Sequence, residues 1–345
     1  MFDSFRTVTR QLVGGEDHRT SADSDDEIRT DGGVAESRRR TGSSGGVLKA
    51  VRDRFGEDFL ESTPFWLPTF LLMSLFVYGS IGWNFLISLT DFEGFAQEPD
   101  YSNLDFEMYV QAVTSEAVQT AVVNTFALLV AFTVVCLAFG MVLAILVDRG
   151  IRFENTFRTI YLLPMSLSFV VTAQFWLWMY NPTNGIVNMF FGVFGLGPYD
   201  FIGNPNLVLA AVIFALVWQF SGYTMVVYLA SLRAIPTEHY EAAQVDGAST
   251  VKMYWRVIVP QLKNATISAS VVLMVFALKA FDFLYSLVGN FRPPNGSDIL
   301  ATKMVREAFQ NQNWAYGSAI AVLLFALALA IIGPYLFHQY KHDNL

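Results

Sequence analysis

The chain has 345 residues, 53% of them hydrophobic and only 15% charged, with a mean hydropathy of +0.40 and a formal net charge of −8. A soluble domain of this size carries roughly 25% charged residues. The composition therefore excludes a disordered chain, a nucleic-acid binder and a disulfide-stapled secreted domain, and describes a polytopic membrane protein.

Residues 1–46 are rich in Asp, Glu, Arg, Ser and Gly and poor in large apolar side chains. Such a segment cannot offset its ordering entropy, so a disordered tail is expected there. No apolar run lies near Met1, so no cleavable signal peptide is expected. Over 47–63, Val47, Val51, Phe55 and Phe59 recur every fourth residue with Lys49, Arg52, Asp53 and Arg54 between them. This spacing suits an amphipathic helix lying in the membrane interface, with a soluble capping helix as the alternative.

A membrane-spanning helix needs about 20 mainly apolar residues. Six windows qualify, at about 67–89, 118–147, 159–180, 207–232, 264–286 and 317–337. Their apolar runs are continuous rather than alternating, which argues against a strand barrel. The lone cysteine, Cys136, sits inside the second window and reads as packing. The Lys and Arg residues outside the windows divide 18 to 3 between alternate connections. By the positive-inside rule both termini are expected in the cytoplasm of a multi-pass cell-membrane protein.

No catalytic constellation is visible. The histidines His18, His239, His338 and His342 are scattered and lack metal spacing, and neither a nucleophile elbow nor a phosphate-binding loop occurs. No catalytic and no metal-binding residue is therefore expected, and no nucleic-acid partner. The spans hold one ionisable cluster, Lys279 and Asp282, three apart on one helical face. They are read either as a structural ion pair or as part of a hydrophilic substrate path. Trp176, Trp178 and Tyr180 end the third window, where an interfacial aromatic belt is expected. Trp218, Gln219, Ser221 and Tyr223 sit near the middle of the fourth. A buried amide there must bond to a neighbouring helix or line a wet cavity, and rings beside an amide suit a sugar.

The connection over 233–263 is long for a loop and is expected to be ordered and functional. Pro236 ends the fourth span, Thr237 is placed as an N-cap, and a short helix runs from Glu238 to about Asp246. Ala243 and Gly247, four apart, are expected to form a small-residue saddle for a partner surface. Ser249 is placed as the cap of a second amphipathic helix reaching Val259, and Pro260 opens the fifth span.

Glu241-Ala242-Ala243, three residues, Gly247, nine residues and then Val257-Ile258-Val259-Pro260 resemble the E-A-A-x3-G-x9-I-x-L-P signature of binding-protein-dependent ABC importer permeases. The flanking 230–236 stretch, Asp246-Gly247-Ala248, the 158–164 stretch and Tyr316-Gly317-Ser318-Ala319 resemble the carbohydrate-type members. The likeness covers 64–340 but departs beyond the fifth span, where members commonly carry a Gly-Gly-Pro stretch and this chain reads Val288-Gly289-Asn290-Phe291-Arg292-Pro293-Pro294-Asn295-Gly296. It implies an all-α fold with six transmembrane helices, the type I ABC importer permease core, preceded by the interfacial helix and the tail. It further implies a coupling helix carrying Glu241, Ala242, Ala243, Asp246 and Gly247, with Pro260 behind it. The implied partners are two cytoplasmic ATPase subunits that bind ATP and Mg, a second and non-identical permease, an extracellular solute-binding protein and membrane lipid. The chain itself would hold no cofactor and perform no bond chemistry, and would move a sugar or polyol along a path including Trp218, Gln219, Tyr223, Lys279 and Asp282. A stand-alone secondary carrier or channel is the alternative, and would have no need of the loop.

Overall fold

The computed structural model describes residues 57–94, 98–150, 152–294 and 296–343. The tail over 1–46 and most of the expected interfacial helix lie outside these residues. The elements are helical throughout the described residues, with one isolated bridge between Glu93 and Asn313.

Helix α1 (Glu57–Met73) continues through a π turn (Ser74–Tyr78) into Gly79–Ile87. It passes through Pro64 and Pro68 without a break, so Glu57 to Ser62 lead directly into the first span. Leu71, Leu72, Met73, Leu75 and Phe76 are more than half exposed, so this span turns its apolar side chains outward from its own chain. Short α2 (Glu107–Thr114) precedes α3 (Glu116–Asp148). At 33 residues α3 is about 50 Å long and exceeds the hydrocarbon thickness, as its window suggests.

The third window is not a straight span. Helix α4 (Glu154–Leu162) runs through a 3-10 turn (Leu163–Ser166), and α5 (Phe169–Met179) departs at 101° to it. Pro164 supplies no N–H, and Leu167 and Ser168 are extended. Ser168 then restarts the helix as an N-cap, its Oγ accepting the Val171 N–H at 3.3 Å.

Short α6 (Ile186–Val193) is held by buried Asn188, whose amide donates to Tyr199 O at 3.0 Å and accepts the Tyr199 N–H at 2.8 Å. Helix α7 (Val208–Arg233) forms the fourth span, followed by α8 (Thr237–Val245). A helical run then goes from α9 (Thr250–Met253) through a π turn and a 3-10 turn into α10 (Lys263–Leu278). The second loop helix is thus the projecting start of the fifth span. That span stops at Lys279 and resumes as α11 (Phe281–Val288). Helix α12 (Leu300–Val305), a π turn (Arg306–Gln310) and α13 (Trp314–Asp343) complete the chain. Among the described residues, five long apolar helices and the bent α4–α5 pair taken as one span give six spans.

The core centres on α3 and α7, which make the most extensive helix pairing. Cys136 is fully buried where they cross. Thr224 Oγ1 donates toward the carbonyls of Cys136 (3.1 Å) and Ser221 (2.9 Å). Lipid is as apolar as a leucine side chain, so association inside a membrane relies on close approach and shared hydrogen bonds. Gly140 supplies the approach, since a Cβ there would strike the Thr224 side chain. Beside the crossing, Phe169 at the start of α5 packs within 6.3 Å of Phe220, Phe276 and Phe283. The ring of Phe220 in turn lies 4.6 Å from that of Phe276. The bend in the third span is what places Phe169 among them.

The crossing makes a stability prediction. Gly140→Ala should destabilise the folded chain by about 1–3 kcal/mol through overpacking. Thr224→Ala in the same chain should restore part of it, because the two sites touch. Thermal unfolding in detergent of both single variants and the double variant measures the coupling, and strictly additive losses would contradict this contact.

Candidate functional site

At the end of the bundle that carries α8, the loop between α7 and α9 is built on backbone geometry. Pro236, not Thr237, is the N-cap residue of α8, and Thr237 is its first helical position. Pro236 fits because it sits in extended backbone (ψ 141°) just before the helix begins. Glu238 lies in the first turn, where the helix dipole favours an anion.

The other end closes as a Schellman turn. Gly247 N–H donates to Gln244 O and Ala248 N–H to Ala243 O, both at 3.0 Å, with Gly247 in the left-handed region at φ +70°. Ser249 begins α9 as expected, its Oγ accepting the Lys252 N–H at 3.4 Å.

This geometry corrects the expected saddle. Ala243 is 6% exposed and packs inward with Leu143, Val147, Leu232, Met253 and Ile258. A Cβ at Gly247 would meet open space. The small residues therefore serve the seat of α8: Ala243 lets it lie close to the bundle, and Gly247 lets the chain turn. Glu241, Ala242, Asp246 and Pro260 are exposed. Val245 projects at 88% exposure.

The seat is tied down by side chains that sequence reasoning did not single out. The Tyr254 hydroxyl donates to Asp148 Oδ2 at 3.2 Å, and its ring lies 6.3 Å from that of Tyr240 on α8. Burial, with Asp148 nearby, pushes the Tyr240 phenol up from its ordinary range. Glu154 Oε1 receives Arg158 and Arg233, each at 2.6 Å, joining the start of α4 to the end of α7.

Within the spans, the expected path residues separate. Gln219 is 2% exposed. Its Nε2 donates to Leu167 O at 2.9 Å, satisfying a carbonyl freed by the break before α5. Its Oε1 is buried without a protein partner. Tyr223, one turn on, is half-buried on the same core. Trp218 faces elsewhere, into a groove of about 520 Å³ with Phe214, Ser221 and Ile160.

The structural ion pair is not formed: among the described residues the ion pairs are Glu154 with Arg158 and Arg233, Lys303–Glu307 and Asp298–Arg306. The helix breaks between Lys279 and Asp282, so their spacing of three no longer sets them on one face. Each instead sits where a helix dipole favours its charge, Lys279 at the end of α10 and Asp282 in the first turn of α11. Both are exposed from the chain. The aromatic belt is also reduced: Trp178 is 71% exposed, but Trp176 and Tyr180 are buried, and the Tyr180 hydroxyl donates to Ala211 O at 2.9 Å.

The opposite end holds a buried polar network. Arg306 Nη2 pairs with Asp298 Oδ2 at 2.6 Å and Nη1 donates to Phe291 O at 3.0 Å. Thr302 Oγ1 donates to Asp298 Oδ1 at 2.7 Å. The Leu300 N–H reaches Thr125 Oγ1 on α3 at 2.9 Å. Phe291, whose carbonyl this network holds, belongs to the stretch where the sequence departs from the family pattern. Asp91, Asp105 and Glu107 bring carboxylate oxygens within 4.8 Å of one another at this end, but none of the three is buried.

Six spans, one of them bent, carry an exposed helix between the fourth and the fifth among the described residues. Residues 136–340 match the family described as binding-protein-dependent transport system inner membrane component, and the chain belongs to that family. It is the membrane-spanning permease subunit of an ABC importer. It is 59% identical over 295 residues to the xylose/arabinose import permease protein XacH of Haloferax volcanii, covering 86% of this chain and 93% of that one. Its fold matches a chain of a bacterial ABC transporter involved in the import of the acidic polysaccharide alginate, with a TM-score of 0.71, 21% identity, and coverage of 86% and 99%. It also matches an alginate ABC transporter in complex with an alginate pentasaccharide-bound periplasmic protein, with a TM-score of 0.70, 22% identity, and coverage of 84% and 98%.

The geometry at Gly247 separates strain from bulk. Gly247→Val should destabilise the α8 turn by roughly 1–2 kcal/mol, the cost of left-handed backbone for a residue with a Cβ, whereas Gly247→Asn should cost less. Amide hydrogen exchange over 237–249 reads the difference. Equal protection loss in both variants would mean that side-chain size, not φ, governs this position.

Proposed function

We propose that the chain carries a sugar or polyol inward by alternating access, with both termini and α8 in the cytoplasm. Alpha8 then seats in a cleft of a cytoplasmic ATPase subunit, which holds ATP and Mg. A second, non-identical permease completes the path, and an extracellular binding protein delivers the solute. The observation that carries this reading is an exposed helix on a rigid base. Glu241, Ala242, Val245 and Asp246 are exposed while Ala243, Tyr254 and Asp148 fix the helix to the spans. A force applied to α8 is thereby transmitted to α3 and to the Thr250–Leu278 span. The 18-to-3 division of Lys and Arg supports placing this end inside.

The path is supported by two features. Gln219 Oε1 is a buried acceptor without a protein donor, set at a break in a neighbouring span. A sugar hydroxyl is a donor of the required kind. Lys279 and Asp282 are charged and exposed between α10 and α11, where facing hydrocarbon would be costly. They are therefore assigned to a wet path or to the second permease. The relative named for xylose and arabinose makes a pentose the first solute to test.

Glu241→Lys should leave membrane insertion intact, lower ATPase copurification at least tenfold and abolish ATP-dependent uptake. Wild-type uptake with the ATPase still bound would remove α8 from the coupling role.

Gln219→Ala and Tyr223→Ala should each lower pentose uptake and alter the preference among sugars, while subunit assembly survives. Unchanged uptake and preference in both would assign Gln219 solely to closing the break before α5.

A further inference from the structure

A second groove, of about 610 Å³, lies at the α8 end between α3 and the helical run from Thr250. Val134, Ala138, Val142 and Leu146 form one wall at steps of four residues, ending at Arg149. Val251, Trp255 and Val259 form the other. The deepest polar atoms are already engaged: the Tyr228 hydroxyl donates to Thr266 Oγ1 at 3.0 Å, and Thr266 donates to Leu262 O at 2.9 Å. The rest of the wall is apolar over most of its length, which suits an acyl chain better than a sugar.

Its dimensions and charge fit something else. Val134 to Arg149 spans about 22 Å of helix, and one leaflet contributes about 15 Å of a 30 Å hydrocarbon layer. The groove thus runs from the end of α3 to roughly the bilayer midplane. Arg149 lines its mouth, and Lys252 and Arg256 lie four apart on the helical run that forms the second wall, one residue beyond Val251 and Trp255. All three cations are exposed, and none is in an ion pair among the described residues. The adjacent acid, Asp148, accepts the Tyr254 hydroxyl. Trp255 is 74% exposed at the same level, as an interfacial indole would be.

We propose that this groove binds an anionic phospholipid of the leaflet facing α8. One acyl chain lies along α3, and the phosphate sits among Arg149, Lys252 and Arg256. Tyr254 lines the groove and packs on Tyr240 of α8, so the bound lipid buttresses the seat of the coupling helix. The choice of leaflet rests on the orientation proposed above; the lipid chemistry does not.

The test uses the full chain, purified with its accompanying subunits, in nanodiscs of equal phosphatidylglycerol and phosphatidylcholine, with retained lipid counted by native mass spectrometry. Wild type should retain phosphatidylglycerol at least fivefold over phosphatidylcholine. The triple variant Arg149→Ala, Lys252→Ala, Arg256→Ala should retain both equally. Ala138→Trp, which fills the groove at an exposed position, should retain neither. Equal retention by wild type, or an unchanged preference in the triple variant, overturns the proposal. So does a photo-crosslinker at Val142 that captures a second permease chain in place of lipid. A Ser249→Cys chain probed with an impermeant thiol reagent separates the two readings. Labelling only from the inside supports the assigned leaflet. Labelling from the outside with the phosphatidylglycerol preference intact overturns the leaflet and the orientation together, and leaves the lipid site standing.

Discussion

Inside a bilayer no water is available to complete a broken helix, so every freed backbone group must find a partner within the protein. The break at 163–168 is where this chain meets that demand most directly. Pro164 and the extended Leu167–Ser168 pair interrupt the third span, and the repair comes from three directions. Ser168 caps α5, Phe169 anchors the redirected helix in the aromatic cluster, and Gln219 reaches from α7 to Leu167 O. A hydrogen bond of that kind contributes modestly on its own, but leaving a carbonyl buried and unmet costs about 1–3 kcal/mol. Gln219 is therefore bound to the bend, and its remaining oxygen is buried without a protein donor.

The same economy governs the charges. Lys279 and Asp282 occupy helix ends whose dipoles suit them, one on each side of the break between α10 and α11. At the opposite end, Asp298 and Arg306 are buried together with Thr302 and the Phe291 carbonyl. A buried pair adds little net stability over an apolar replacement, but removing one partner costs about 3–5 kcal/mol. The network thus ties Phe291 and the Asp298–Leu300 segment to α12 and, through the Leu300 N–H and Thr125, to α3.

The coupling role proposed for α8 depends on a different property, the stiffness of a short helix. Nine residues are too few to be stable alone in water. Alpha8 persists because Ala243 is buried, because Gly247 turns the chain back, and because Tyr240 meets Tyr254 above Asp148. The exposed edge left over is the surface available to a partner. The π turn at Tyr254–Ile258 sits where this base passes into the span.

The sequence determined the class of fold and the identity of the loop. Continuous apolar windows mark spans whatever packs against them, because length and hydropathy alone decide whether a helix partitions into lipid. The motif from Glu241 to Pro260 was legible because its residue types and spacing match a family signature, and the structure supplies the reason for its Gly, a left-handed turn at φ +70°. Pro164 followed by Ser168 also signalled the third-span break, had a cap been sought inside an apolar run. What the tertiary structure decided is direction. Helical periodicity places Gln219 and Tyr223 on one face but not which neighbour that face meets, and Leu167 is 52 residues away. Ala243 reads as an open saddle until the elements beneath it are assembled. Lys279 and Asp282 read as a pair only while their helix is taken as unbroken. Each of these depends on contacts distant in sequence, and local spacing carries no information about the partner on the far side.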